Sequence, residues 1–281
     1  MRLTHHVANV MSIALSPHER HVGAVSRYVD QRLATGHVSF SLDELLRATG
    51  LSTSAARSQL HRLRSKIVRV SARDTFFLIV TPEYLSRGAP PVEWWIGDYF
   101  KWLGRPYYLA LQTAARLHGS NPQSVQTTQV MTDRARRPLT IGQQRVQFMV
   151  KRHLGKTLVQ SLPNAFAPTL VSTPEATAFD LVRYASRIGG IGRAWETIRP
   201  LLARLDATAL RDELKAENET STAQRLGFLL ARSGQLKLAN TVAKLLPSKL
   251  PAIPLAVPAS ALTGEAAPRW RVIDNSGEFA P

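Results

Sequence analysis

The chain has 281 residues, no cysteine, and 36 Lys+Arg against 20 Asp+Glu, a formal net charge of +16. Without thiols it forms neither disulfides nor thiolate metal sites, which fits a reducing, cytoplasmic setting. No stretch approaches the roughly 18 apolar residues of a membrane span, and the length leaves room for two domains with a core each.

The charge is uneven. Residues 1–90 hold 12 basic and 6 acidic side chains, residues 91–160 hold 10 and 3, and residues 161–281 hold 14 and 11. Affinity for a polyanion is therefore expected in the first 160 residues. A generally basic, soluble surface is the plainer explanation of the same numbers.

In chain order, Val7 to Leu15 is mildly apolar but is broken by Asn9 and Ser12 and preceded by His5-His6, so a signal peptide is not expected. Val22, Val25, Val29 and Leu33 recur at helical spacing, which predicts a helix over Glu19–Leu33 that Gly36 ends. His37–Phe40 reads as a short strand. Ser41, with Glu44 three positions on, is the pattern of a capping box, and Leu42, Leu45 and Leu46 form the inner face of the helix it starts.

Gly50-Leu51-Ser52 then makes a tight turn into a second helix, capped by Ser52 or Thr53. At about 100° per residue Ala56, Leu60 and Leu63 fall on one stripe, which leaves Ser54, Ser58, His61 and Ser65 opposite, with Arg57 and Arg62 on the flanks. This is the pattern of a helix-turn-helix whose second helix reads a DNA major groove. Arginine suits that position because its planar fork bonds guanine O6 and N7 together, while hydroxyls reach phosphates or base edges. After Lys66 the period changes to two: Ile67–Val70 and Phe76–Val80 predict a hairpin, a wing, with Arg69 on its first strand and Arg73 at its tip. The predicted DNA-contacting residues are Thr53, Ser54, Arg57, Ser58, His61, Arg62, Lys66, Arg69 and Arg73. A three-helix scaffold for protein contacts would share much of this pattern.

Pro82 and Arg87–Pro91 read as a linker. Trp94, Trp95, Tyr99, Phe100 and Trp102 follow within nine residues; such a cluster is more often a core or domain interface than a stacking platform for single strands. Helices are expected at Val92–Leu103 and Tyr107–His118, then strands at Val125–Met131, Leu139–Ile141, Val146–Val150, Thr157–Val159 and Thr169–Val171. Arg134, Arg136, Arg137, Arg145, Lys151 and Arg152 make a second basic patch, readable as a phosphate-contacting face, a docking face for an acidic or RNA-linked partner, or a charge-protected sheet edge.

Thr173 caps a helix with Pro174 at its first position and Glu175 in its first turn. Gly189–Gly192 is a turn, lacking both the preceding strand and the Lys-Ser/Thr of a phosphate-binding loop. Helices follow at Ala194–Leu205, Thr208–Asn218, Thr222–Ser233 and Leu236–Leu246. An extended Pro/Ala-rich strap over Pro247–Gly264 precedes a strand at Pro268–Asp274, expected to return to the sheet of the second domain.

No histidine spacing supports a metal site, and no cofactor is implied. Asp206, Asp212, Glu213 and Lys215 resemble acid-x-lysine nuclease patterns superficially but read as surface ion pairs on a polar helix. Nothing in the sequence argues for catalysis. The fold expected is α+β: a winged helix-turn-helix over 1–86, residues 1–19 being an amino-terminal extension, and a larger mixed α/β domain over 87–281 with a small sheet and several helices.

The order of segments resembles the AbiEi-type antitoxins of type IV toxin–antitoxin systems. The matching pieces are Leu51-Ser52 with Ala56–Leu63, Phe76–Tyr84, Gly88–Trp95, Gly104–Tyr108, Ala114–Gly119, Ser172–Glu175 with Phe179–Tyr184, and Arg269–Ile273, together spanning about residues 20–275. The resemblance implies a winged helix-turn-helix that binds inverted-repeat promoter DNA and represses its own operon. It also implies a carboxyl-terminal antitoxin domain that counters a neighbouring nucleotidyltransferase-like toxin, directly or functionally, in phage defence. The wing here lacks the glycine such wings often carry near the tip. The competing expectations are a ligand-responsive transcriptional regulator, with a small molecule near the tryptophans, and a DNA-targeted nuclease using Asp212 or Glu213.

Overall fold

The computed structural model describes residues 23–120, 127–163, 166, 168–257 and 265–277. The expectations for Val7–Leu15, the first turn of the helix from Glu19, Val125–Gln126 and the end of the strap lie outside those residues.

The amino-terminal part follows its local signals closely. Helix α1 (Ala24–Ala34) ends at Thr35, and Gly36 takes the left-handed conformation just beyond. Strand β1 (Ser39–Ser41) leads straight into α2 (Leu42–Thr49). The Ser41 hydroxyl accepts from Glu44 N at 3.2 Å, and the Glu44 carboxylate accepts from Ser41 N at 2.7 Å, so both halves of the capping box form. Gly50, at φ 66°, closes α2, and Ser52 caps α3 (Thr53–Arg62) by accepting from Ala55 N. Gln59 Oε1 on α3 accepts from Val25 N at 3.1 Å, tying the first and third helices together. Strands β2 (Ile67–Arg69) and β3 (Phe76–Ile79) form the expected hairpin, and β1 completes an antiparallel sheet in the order β1-β3-β2.

Pro82 and Arg87–Pro91, expected as a linker, are packed rather than free. Two 3-10 turns, Pro82–Arg87 and Val92–Trp94, fold this segment against its neighbours, with Ala89 and Val92 buried. The predicted helix over 92–103 is shortened to α4 (Ile96–Trp102). The helix expected from Tyr107 is instead strand β4 (Tyr107–Leu109) followed by α5 (Leu111–Leu117), because a central strand buried on both faces carries no period-two signature.

Strands β5 (Thr127–Thr132), β6 (Leu139–Ile141), β7 (Gln144–Val150), β8 (Val159–Leu162) and β9 (Thr169–Ser172) join β4 in a six-stranded mixed sheet, ordered β6-β7-β5-β4-β9-β8. Beyond it lie α6 (Pro174–Arg183), capped by Thr173 as the sequence predicts, then α7 (Ile191–Ile198), α8 (Ala207–Glu217), α9 (Thr220–Arg232) and α10 (Leu236–Ala243). Among the described residues the tail does not return to this sheet: β10 (Ile253–Pro254) and β11 (Val272–Ile273) pair with each other.

Alternation along the strands decides which core each side chain joins. Tyr108, Met131 and Met149 face the helical layer, packing with Phe179, Leu226 and Leu229. Tyr107, Leu109, Val130, Val146 and Val171 face the other way, onto Ile96, Tyr99 and Phe100 of α4. Val38, Val70, Phe76 and Leu78 of the amino-terminal part belong to that same cluster. The two parts of the chain therefore share a core. At about 1.5–3 kcal/mol for each large apolar side chain buried, separating them would cost far more than thermal energy.

A second joint lies nearby. A Cβ built on Gly142, in the β6–β7 turn, would meet Arg87 O at 2.1 Å. Gln143 N donates to that same carbonyl at 2.8 Å.

Candidate nucleic-acid interface

Helix α3 buries Ala56 and Leu60 against α1 and α2 and turns its other side outward. Thr53, Ser54, Arg57, Ser58, His61 and Arg62 are all exposed, as are Lys66, Arg69 and Arg73. The Ser54 hydroxyl lies 3.1 Å from that of the capping Ser52. Among the described residues Arg57, Arg62, Lys66 and Arg73 enter no ion pair, so their charge is available to a partner.

Between α3 and the hairpin runs a groove of about 250 Å³, its floor formed by Leu60, Ile67 and Phe77 and its rim by Arg57, His61 and Arg69. Arg69 is held in place because its Nε donates to Asp74 O across the hairpin at 2.6 Å. All nine residues expected from the sequence thus lie on exposed parts of α3, the hairpin and their junction. An apolar floor with a cationic rim is what a sugar–phosphate edge meets favourably.

The second basic patch divides. Arg134, Arg137, Arg145 and Arg152 are exposed. Arg136 is half-buried, bonded to Tyr99 OH and 3.4 Å from Asp74 Oδ2. Lys151 does not belong to the patch, being only 1% exposed. It follows β7 with the same parity as Met149, which points it into the protein rather than to solvent.

There Lys151 Nζ meets Asp180 Oδ1 at 2.8 Å and Glu217 Oε1 at 2.6 Å. Tyr108 OH donates to Asp180 Oδ2 at 2.8 Å, Thr157 Oγ1 donates to Glu217 Oε1 at 2.7 Å, and Arg183 reaches Glu217 Oε2 at 3.0 Å. Burial, reinforced by the Asp180 charge, holds the Tyr108 hydroxyl protonated far above the usual tyrosine range.

Glu213 also departs from the surface ion pair expected of it. It is fully buried, with Oε2 accepting from Leu158 N at 2.9 Å and Oε1 without a hydrogen-bond partner. Burial pushes its carboxyl up to about 8. Asp212, one position before it, is exposed and pairs with Arg211 at 3.0 Å, while Asp206 caps α8. These acids face different surroundings and do not converge on one point. Nothing in residue order marks this buried network beyond the parity of Lys151 and the inward stripe of α8 through Leu210, Glu213, Leu214 and Glu217.

The aromatic cluster serves as a core between the two parts. Trp95, Tyr99 and Phe100 are fully buried, and Tyr99 stacks near Trp102 with ring centroids 5.9 Å apart. Among the described residues no helix is long and apolar enough to cross a membrane, and no group of three or more His, Asp or Glu is placed to hold a metal ion.

Residues 108–232 match the family model of the AbiEi antitoxin C-terminal domain. The whole buried Lys151 network lies within that range. The crystal structure of the RV2827C protein from Mycobacterium tuberculosis superposes with a TM-score of 0.63 at 17% identity, covering 89% of this chain and 91% of that one. This likeness extends the shared fold beyond the family match into the amino-terminal part. No curated protein matches the chain.

Proposed function

We propose that this chain, whose residues 108–232 match the AbiEi antitoxin C-terminal domain, is an antitoxin and also represses its own operon as a type IV system does. In this reading α2, α3 and the β2–β3 hairpin form a winged helix-turn-helix. Helix α3 enters the major groove of an inverted-repeat operator, and the hairpin lies on the adjoining backbone. Arg57, His61 and Arg62 read base edges; Lys66, Arg69 and Arg73 meet phosphates.

The carboxyl-terminal domain neutralises a nucleotidyltransferase-like toxin encoded beside it, by direct contact or by opposing its effect. The observation that carries the DNA-binding half is the exposed polar face of α3: the cations whose charge is free of ion pairs stand on the side away from the core.

The test is a mobility-shift titration on the chain's own upstream DNA. The Arg57→Ala/His61→Ala variant should lose its preference for that fragment over unrelated duplex. Wild-type selectivity in that variant would remove α3 from the reading. The antitoxin half is tested by co-expression with the neighbouring gene, where growth should be restored by the wild-type chain.

A further inference from the structure

Two turns from distant parts of the sequence meet beside this interface. Residues 71–74 of the hairpin turn, and residues 135–139 at the end of the turn that begins at Asp133, line a groove of about 490 Å³. Its base is a closed polar knot. Asp74 Oδ2 accepts from Ser71 Oγ at 2.6 Å and from Tyr99 OH at 2.7 Å, and pairs with Arg136 at 3.4 Å. Arg136 donates in turn to Tyr99 OH, and its guanidinium lies 5.3 Å from the centre of the Tyr99 ring.

The acids of this region are consumed. Asp74 is engaged by Arg136, and Asp133 pairs with Arg105 at 3.0 Å. The cations on the two rims are not. Arg73 on the hairpin and Arg137 on the opposite turn are exposed and enter no ion pair among the described residues. The groove adjoins the one between α3 and the hairpin: Arg69, on the rim of that groove, is bonded to the backbone of Asp74 in this one. A line of cations thus runs from Arg57 through Arg69 to Arg73 and Arg137. A continuous polyanion matches such a line better than a single acidic side chain does.

We propose that Asp74, Tyr99 and Arg136 latch the hairpin tip to the 133–138 turn, and that Arg73 and Arg137 together seat one backbone phosphate of duplex DNA. The antitoxin domain then takes part in operator binding and fixes where the hairpin points. Tyr99, Asp74 and Arg136 are positioning residues, while Arg73 and Arg137 touch the ligand. This proposal rests on the repressor reading above.

Fluorescence anisotropy of the full-length chain on its upstream duplex, titrated across salt concentration, tests it. Arg137→Ala should make the slope of log affinity against log salt shallower by about 0.9 and weaken binding roughly 5–10-fold at 0.1 M salt, equally for operator and unrelated duplex. Tyr99→Phe keeps the ring but removes the hydroxyl, and it should reproduce the loss. Adding Arg137→Ala to Tyr99→Phe should then cost little more, a non-additivity that general loss of stability would not create.

Unchanged affinity and slope in Arg137→Ala, with binding still destroyed by Arg57→Ala/His61→Ala, would overturn the seat and leave the repressor reading standing. If the wild-type chain binds no duplex, both fall. If Arg137→Ala spares DNA binding but abolishes rescue from the neighbouring toxin, the groove belongs to a protein partner and the proposal is wrong.

Discussion

Lys151 and Asp180 face each other at 2.8 Å with the lysine 1% exposed, and Glu217 completes the arrangement at 2.6 Å from the same ammonium. The charges are almost wholly withdrawn from water, so the Asp180 carboxylate depends on the lysine for compensation. Lys151→Ala should therefore lower unfolding stability by about 3–5 kcal/mol, read as a shift in urea midpoint. Arg183 still holds Glu217 at 3.0 Å, so the uncompensated charge is chiefly that of Asp180. Adding Asp180→Asn to Lys151→Ala should restore part of the loss. A double variant no better than the single one would show that the cost arises from packing rather than charge.

Glu213 gives the chain a pH dependence of defined sign. Its carboxyl is pushed up to about 8 by burial from an ordinary value of 4.5. Between those limits the folded state holds a proton that the unfolded chain has released. Stability is fully present below the ordinary value and declines as pH rises towards 8, with a slope of at most about 1.4 kcal/mol per unit. Glu213→Gln keeps an oxygen to accept from Leu158 N and removes the titration. Urea midpoints of wild type and variant should diverge from pH 5 to pH 8, the variant becoming relatively more stable. Parallel midpoints across that range would contradict this placement of Glu213.

Gly227 should resist a change that usually helps a helix. Alanine in place of a mid-helix glycine gains about 1 kcal/mol in open surroundings. Here an added Cβ would stand 2.0 Å from Trp270 Cζ3, and Trp270 is buried and anchored by Gln224 Nε2, which donates to its carbonyl at 2.8 Å. Gly227→Ala should instead destabilise by about 1–3 kcal/mol through overpacking. Displacement of the indole should also change tryptophan fluorescence.

Ser41→Ala removes one side of the capping box at α2 and should cost about 1 kcal/mol. Because α2 supports α3, its thermal midpoint should fall while DNA affinity, measured well below that midpoint, stays near wild type. A large loss of affinity at low temperature would mean that α2 does more than brace the neighbouring helix.

Local chemistry made the amino-terminal part readable. Ser41 with Glu44, Gly50 after α2, and the stripe through Ala56 and Leu60 are short-range signals, and each appears where the spacing puts it. Tyr107 to Leu109 misled because a strand covered on both faces is apolar throughout and resembles a buried helix. Lys151 and Glu213 misled for another reason. Charged residues are almost never buried without partners, and theirs come from 29 and 55 positions away, at Asp180 and Leu158. The aromatic run from Trp94 to Trp102 was legible as an interface in kind, but which strands it would cover depended on long-range pairing.

The close approach of Gly142 to Arg87, beside the apolar cluster that joins Val38 and Phe76 to Tyr99, has a practical consequence for dissecting the chain. A fragment cut at residue 86 would present that cluster to water and forfeit the brace behind its hairpin. Such a piece should aggregate or melt early, and its failure to recognise a promoter would say nothing about the intact molecule. Point variants at solvent-facing side chains, introduced into the uncut polypeptide, are the instruments that this architecture permits.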